Sequence, residues 1–170
     1  VSTTFVISDT HFGHANILKF LNEDGSRVRP NWEDVDVMNE DMINRWNHIV
    51  APNDKVYHLG DVVINRRYLN LVDRLNGKKE LVLGNHDIFE TTDFLKHFKR
   101  VHGSVKFDSL VLTHIPVHPT MLPRWALGNV HGHVHCNSLS DPLYKNVSVE
   151  VIDYVPMPMD NILEEMRKNL

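Results

Sequence analysis

Four short apolar runs, at Thr4 to Ile7, Val56 to Leu59, Leu81 to Leu83 and Leu110 to Leu112, are each followed by polar residues able to bind a metal ion. Runs of this length, rich in branched residues, suit buried strands. Helical patterns lie between them. From Asp34 to Val50, Val35, Met38, Met42, Trp46 and Ile49 recur as one apolar stripe, and Glu33, Asp34 and Asp36 at its start favour the helix dipole. Tyr68 to Leu75, which ends before Gly77, and Ile88 to Phe98 read as two further helices. Strands alternating with helices predict an α/β fold with parallel pairing at its centre. The carboxyl ends of parallel strands share one sheet edge, so residues remote in sequence can converge on one crevice there.

The later part reads differently. Ser104 to Thr113, Val130 to His135 and Val147 to Ile152 have strand character without long helices between them, and a short helix runs from Asp160 to Lys168. A mixed or second sheet follows. Asn22 to Glu33, with Gly25, Ser26 and Pro30, reads as a surface loop. The 170 residues suit a single domain spanning 1–170. No run of 18 apolar residues occurs, and Val1 leads into Phe5-Val6-Ile7 without a secretion signal. The expectation is a cytoplasmic protein with no membrane partner. The single cysteine, Cys136, forms no internal disulfide and removes thiol-rich metal sites from consideration. With 18 Lys and Arg against 22 Asp and Glu, the net charge of -4 predicts no stable nucleic-acid binding.

The unusual number is 12 histidines, many in short polar clusters. Asp9-Thr10-His11 follows the first run, Gly60-Asp61 the second, Gly84-Asn85-His86-Asp87 the third and His114 the fourth, with Gly132-His133-Val134-His135 beyond. Imidazole and carboxylate donors without thiolate suit Mn, Fe, Zn, Co or Ni better than Ca or soft copper. Asp9, His11, Asp61, Asn85, His114, His133 and His135 are enough for two ions if one carboxylate bridges them. Two ions about 3.5 to 4 Å apart can clamp the attacking and leaving oxygens of a phosphoryl displacement. Two divalent ions, two carboxylates and a bridging hydroxide leave such a site near about +1, so the metals recruit an anionic substrate to an acidic protein.

In this order the blocks Asp-x-His, Gly-Asp, Gly-Asn-His-Asp, His and Gly-His-x-His resemble the calcineurin-like metallophosphoesterase superfamily, from Asp9 to His135. The opening Ser8-Asp9-Thr10-His11-Phe12-Gly13-His14 is similar to its small, capless bacterial and viral branch. The resemblance implies an α/β sandwich in four layers, two mixed β-sheets flanked by α-helices. It also implies two divalent transition-metal ions, with Mn expected and Fe, Zn, Ni or Co as alternatives. Asp9, His11 and His135 would hold one ion, Asn85, His114 and His133 the other, and Asp61 would bridge. His86 corresponds to the general acid and Asp87 to the carboxylate that orients its imidazole. The implied reaction is phosphoester hydrolysis by a bridging hydroxide, with a phosphodiester substrate, nucleotides among the candidates, expected ahead of a phosphomonoesterase or nucleotide phosphatase reaction. Val62-Val63-Ile64-Asn65 after Asp61 departs from the protein Ser/Thr phosphatases, and Ile64 stands where purple acid phosphatases carry a Tyr ligand. A scaffold that keeps the fold without catalysis is the contrasting class, which the full ligand set with His86 disfavours.

Around this set, His14 is a candidate substrate contact beside His11, and His118, Arg124 and Trp125 form a candidate rim. Arg27, Arg29 and Trp32 form a weaker one. His131 would share a strand face with His133 and His135 and pack there, while His48, His58, His97 and His102 lack a metal-like context.

Overall fold

The computed structural model describes residues 2–168. Its first sheet contains β1 (Thr4–Ile7), β2 (Lys55–His58), β3 (Lys78–Val82), β4 (Arg100–His102) and β9 (Met157–Pro158), in the order β4-β3-β2-β1-β9. The pairings from β1 to β4 are parallel, and β9 runs antiparallel on β1. The second sheet has the order β5-β6-β7-β8, from β5 (Val105–Phe107), β6 (Leu110–Leu112), β7 (Gly128–His131) and β8 (Tyr144–Asn146). There β5 is antiparallel to β6, while β6, β7 and β8 are parallel. With α1 (Val35–Ile49), α2 (Thr91–Phe94) and α3 (Met159–Lys168) beside them, these form the expected α/β arrangement of two mixed sheets and flanking helices.

Period-two alternation assigns each strand residue to one of two cores. Phe5, Ile7, Val56 and Leu81 join Met38, Met42 and Trp46 of α1 in one cluster. Val6, Tyr57, Leu59 and Val82 point the other way, into a cluster with Leu110, Leu112 and Val130 of the second sheet and Ile162 and Met166 of α3. The first sheet is therefore buried on both faces, as its nearly continuous apolar strands require.

Local chemistry sets the element ends. Asp34 caps α1, its carboxylate accepting from the amides of Asp36 and Val37. Ile49 lies exposed at the last helical position while Val50 turns inward, so the buried stripe is shorter than the periodicity implied. The segment expected to be helical at Tyr68 to Leu75 is a 3₁₀ helix, Arg66–Arg74. Its buried contacts, Leu69, Val72 and Leu75, recur every three residues, which matches three residues per turn. Ile88 to Phe98 holds only α2, and Ile88 is exposed. Ser104 to Thr113 divides into the hairpin β5–β6, because Asp108 takes a left-handed turn at φ 52°. The strand expected over Val147 to Ile152 lies earlier, as β8, and Val149–Val151 form a 3₁₀ turn.

The two sheets meet at their strand ends. Ser8, just past β1, forms a parallel bridge with Ser148, just past β8. The Ser8 amide donates to the Val147 carbonyl at 3.0 Å, and the Val149 amide to the Ser8 carbonyl at 3.0 Å.

Candidate metal centre

The crevice at these strand ends gathers the ligand set. Asp9, His11 and His135 offer donor atoms within 4.8 Å of one another, and so do Asp61, His114 and His133. One oxygen links the groups: Asp61 Oδ2 lies 3.6 Å from His11 Nε2 and 3.3 Å from His114 Nε2. Asn85 Oδ1 completes the second group, 3.0 Å from His114 Nε2 and 2.9 Å from His133 Nδ1.

The donor set fits cations. Asp9 Oδ1 and both ring nitrogens of His11 are buried without a hydrogen-bond partner. Nine-tenths of buried polar groups normally have one, so orphans clustered at one point mark a place for an ion. The His114 Nδ1–H donates to the Leu59 carbonyl at 2.7 Å, which leaves Nε2 as the coordinating nitrogen. That nitrogen faces two acceptor oxygens, those of Asp61 and Asn85, an arrangement a shared cation satisfies.

Burial opposes ionisation of Asp9, yet the neighbouring His11, His114 and His135 hold its carboxyl well below the usual carboxylate range. Asp61 behaves alike: burial works to raise it, and the contact with His114 brings it down. Burial also works against a charged His114 and a charged His135, but Asp61 raises the first and Glu150 the second. Both carboxylates are thus ready ligands, and the imidazoles would bind an ion in their neutral form.

Backbone strain concentrates at the same residues. Asp9 (φ 61°), His11 (47°), Asp61 (55°), His133 (72°) and His135 (50°) all take the left-handed conformation that side chains with a Cβ avoid. This ends β7 at His131 and separates His133 and His135 from the strand face they were expected to share with it. His131 is instead fully buried, with its ring against Tyr144. Glycine at positions 84 and 132 lets the loops close, since a Cβ there would fall onto Asp61 and onto Ser8 and Asp9 respectively.

Asp87 has a different job from the expected one. Its carboxylate accepts from the amides of Asp61 (2.8 Å), Val62 (3.1 Å) and Gly84 (2.8 Å), and no hydrogen bond joins it to the His86 imidazole among the described residues. Those amides use both of its oxygens, so Asp87 fixes the loop carrying Asp61 against the loop carrying Asn85. His86 lies exposed at the rim, its amide donating to Asp61 Oδ1 at 2.9 Å and its ring 5.9 Å from that of His11. The His14 ring is 5.7 Å from the His11 ring, and burial lowers its pKa to about 4.

His118 and Arg124 are exposed on the segment after β6. His118 bonds Thr120 and borders a recess with Tyr144 that contains none of the seven ligands. Arg29, expected at a rim, is completely buried. Its guanidinium donates to the main-chain carbonyls of Asp9 and Thr10 and pairs with Glu150 at 2.9 Å. Glu150 in turn accepts from His135 Nδ1 at 2.9 Å, leaving Nε2 directed at Asp9. Sequence reasoning missed Glu150, because it sits in a segment read as strand. The available signal was an acidic residue inside a mainly apolar stretch, Val147 to Ile152.

The calcineurin-like phosphoesterase family model matches residues 2–169. An uncharacterized protein of Methanocaldococcus jannaschii, MJ1445, is 36% identical over 178 residues, covering 96% of this chain and 91% of its own. Among solved structures, the Aquifex aeolicus protein of unknown function AQ665 superposes with a TM-score of 0.71 at 24% identity, over 96% of this chain and 99% of that one. A novel archaeal phosphodiesterase has the same fold more distantly, with a TM-score of 0.50 at 20% identity over 85% of this chain and 82% of its own. The ordered ligand blocks and their convergence agree with the family match: the chain belongs to the calcineurin-like phosphoesterases.

Proposed function

We propose that the protein is a dinuclear metal-dependent phosphohydrolase that acts on phosphodiesters. The observation that carries this reading is the single oxygen, Asp61 Oδ2, set between two three-residue donor groups. Asp9, His11 and His135 would hold one ion, Asn85, His114 and His133 the other, and Asp61 both, with Mn as the favoured metal among Mn, Fe, Zn, Ni and Co. When bound, such ions supply positive charge for phosphoryl oxygens and lower the pKa of a water between them.

The chain's own residues do the rest. The His86 imidazole is exposed beside the ligand set, where it can donate a proton to a departing alkoxide. The Asp61 carboxylate accepts from the His86 amide, which ties the proton donor's loop to the bridging ligand. Asp87 holds their two loops together. The exposed Asn85 and His86 leave the rim open enough for a substrate with two ester arms.

The test uses metal-stripped protein reloaded separately with Mn, Ni, Co, Zn or Mg and assayed on bis(p-nitrophenyl) phosphate and p-nitrophenyl phosphate. The expected result is faster diester turnover that needs both metal and Asp61, so that Asp61→Ala is inactive. A monoester preference overturns the diester assignment. Binding of two ions without turnover of either ester, or of natural diesters, overturns the catalytic reading. His86→Ala is expected to slow an alkyl diester by about 100- to 10,000-fold and an activated aryl diester much less. Equal losses on both would remove the acid role.

A further inference from the structure

A recess of about 470 Å³, within the range of small-molecule sites, opens directly from the ligand set, because His133 and His135 form part of its wall. The remaining wall sets apolar Phe20, Leu21 and Val28 beside polar Asn22, Glu23 and Asn137. Phe20 and Leu21 are 49% and 62% exposed, two large apolar side chains adjacent in sequence beside a polar centre. The wall is nonetheless fixed. The Phe20 ring is braced edge-on by His14 with centroids 5.6 Å apart, and its carbonyl accepts from the Val28 amide at 2.8 Å. No Lys or Arg lines the recess, and Glu23 is its one carboxylate. Of the nearby cations, Arg27 pairs with Glu33 and Arg29 with Glu150, and the exposed Lys19 is not among the lining residues.

We propose that this recess receives the retained ester arm of the substrate, and that the arm is a nucleoside whose base lies on Phe20. The proposal rests on the phosphohydrolase reading above and names the substrate of that site. Because His133 and His135 belong to both the recess and the ligand set, an ester arm of a phosphoryl group held there would lie against this wall. Beyond the ions held by His133 and His135, the wall offers no Lys or Arg to a second phosphate or a nucleic-acid strand, which favours an uncharged arm. The apolar side chains and the half-exposed Phe20 ring select a flat one, since bases stack on aromatic rings whatever their sequence. The Asn137 amide gives the base edge a polar partner. His86, the proton donor to the leaving oxygen, is absent from this wall, so the arm beside it is the one that stays on phosphorus.

The experiment compares two Mn-loaded reactions with the same leaving group: the p-nitrophenyl ester of thymidine 5′-monophosphate and methyl p-nitrophenyl phosphate. The expected kcat/KM ratio favours the thymidine ester. Phe20→Ala should shrink that ratio about 5- to 100-fold, Phe20→Leu should shrink it too, and Phe20→Tyr should keep it. A ratio near one in the wild type, or one unmoved by loss of the ring, overturns the proposal while leaving the hydrolase reading intact. If neither ester is cleaved, the hydrolase reading fails and alkylation of Cys136, which also lines the recess, decides the cavity separately. Protection of its thiol by thymidine 5′-monophosphate in the wild type, but not in Phe20→Ala, supports the nucleoside site. Unprotected alkylation overturns it.

Discussion

Arg29 and Glu150 show how one buried ion pair can position a ligand. Arg29 holds the carbonyls of the strained Asp9-Thr10 turn, and Glu150 fixes the His135 tautomer, so both serve the Asp9, His11 and His135 group. His114 in the other group is held instead by a neutral carbonyl, that of Leu59. Glu150→Gln is therefore expected to weaken Mn binding at the first group by about 10- to 100-fold and leave the second less affected, as two-site titration calorimetry would show. Arg29→Ala strands a buried carboxylate and should lower stability by about 3 to 5 kcal/mol in urea unfolding. His58 offers a pH test. Burial lowers its pKa to about 3, and its Nδ1 accepts from the Gly60 amide while Nε2 meets the Thr10 hydroxyl. Its folded value lies below its unfolded one, so its stabilising share is intact above about pH 6.5 and is lost as pH falls toward about 3. The expected slope is about 1.4 kcal/mol per pH unit through that window, and His58→Gln should flatten it in pH-dependent melts.

Among the elements, the strand-end loops carry most of the chemistry and were read most unevenly. The apolar runs made β1, β2 and β6 legible, and residue order placed the ligands at their ends, because short branched runs have few alternatives to a buried strand. The Asp34 to Val50 pattern was legible for the same reason: its cap and stripe agree. The late strands were less so: β7 stops at His131 because His133 and His135 take left-handed backbone that their side chains do not announce, and β8 lies before the apolar run that suggested it. The roles of Asp87 and Arg29 were hidden because both depend on main-chain groups brought in from other segments. Gly84→Ala and Gly25→Ala separate the two uses of glycine. At Gly25 (φ 81°) a methyl group meets no atom within 4 Å, so only conformational strain is expected, about 1 to 2 kcal/mol. At Gly84 the methyl would displace Asp61, and loss of Mn binding measured by equilibrium dialysis is the expected outcome.

At the scale of the whole molecule, the site occupies the junction where Ser8 pairs with Ser148, and its donor groups come from both sheets. Ions bound there tie the sheets together and should stabilise the fold by about 2.7 kcal/mol at 100 times their Kd, a rise in Tm that a chelator reverses. No helix among the described residues is long and apolar enough to cross a membrane. The left-handed backbone at His11, His133 and His135 has an evolutionary corollary. At each of these positions glycine is the conformationally preferred residue, so selection for durability alone would drift toward substitutions that remove candidate metal ligands. Lineages that retain all three histidines are being held there by what the protein does, against what its chain would choose.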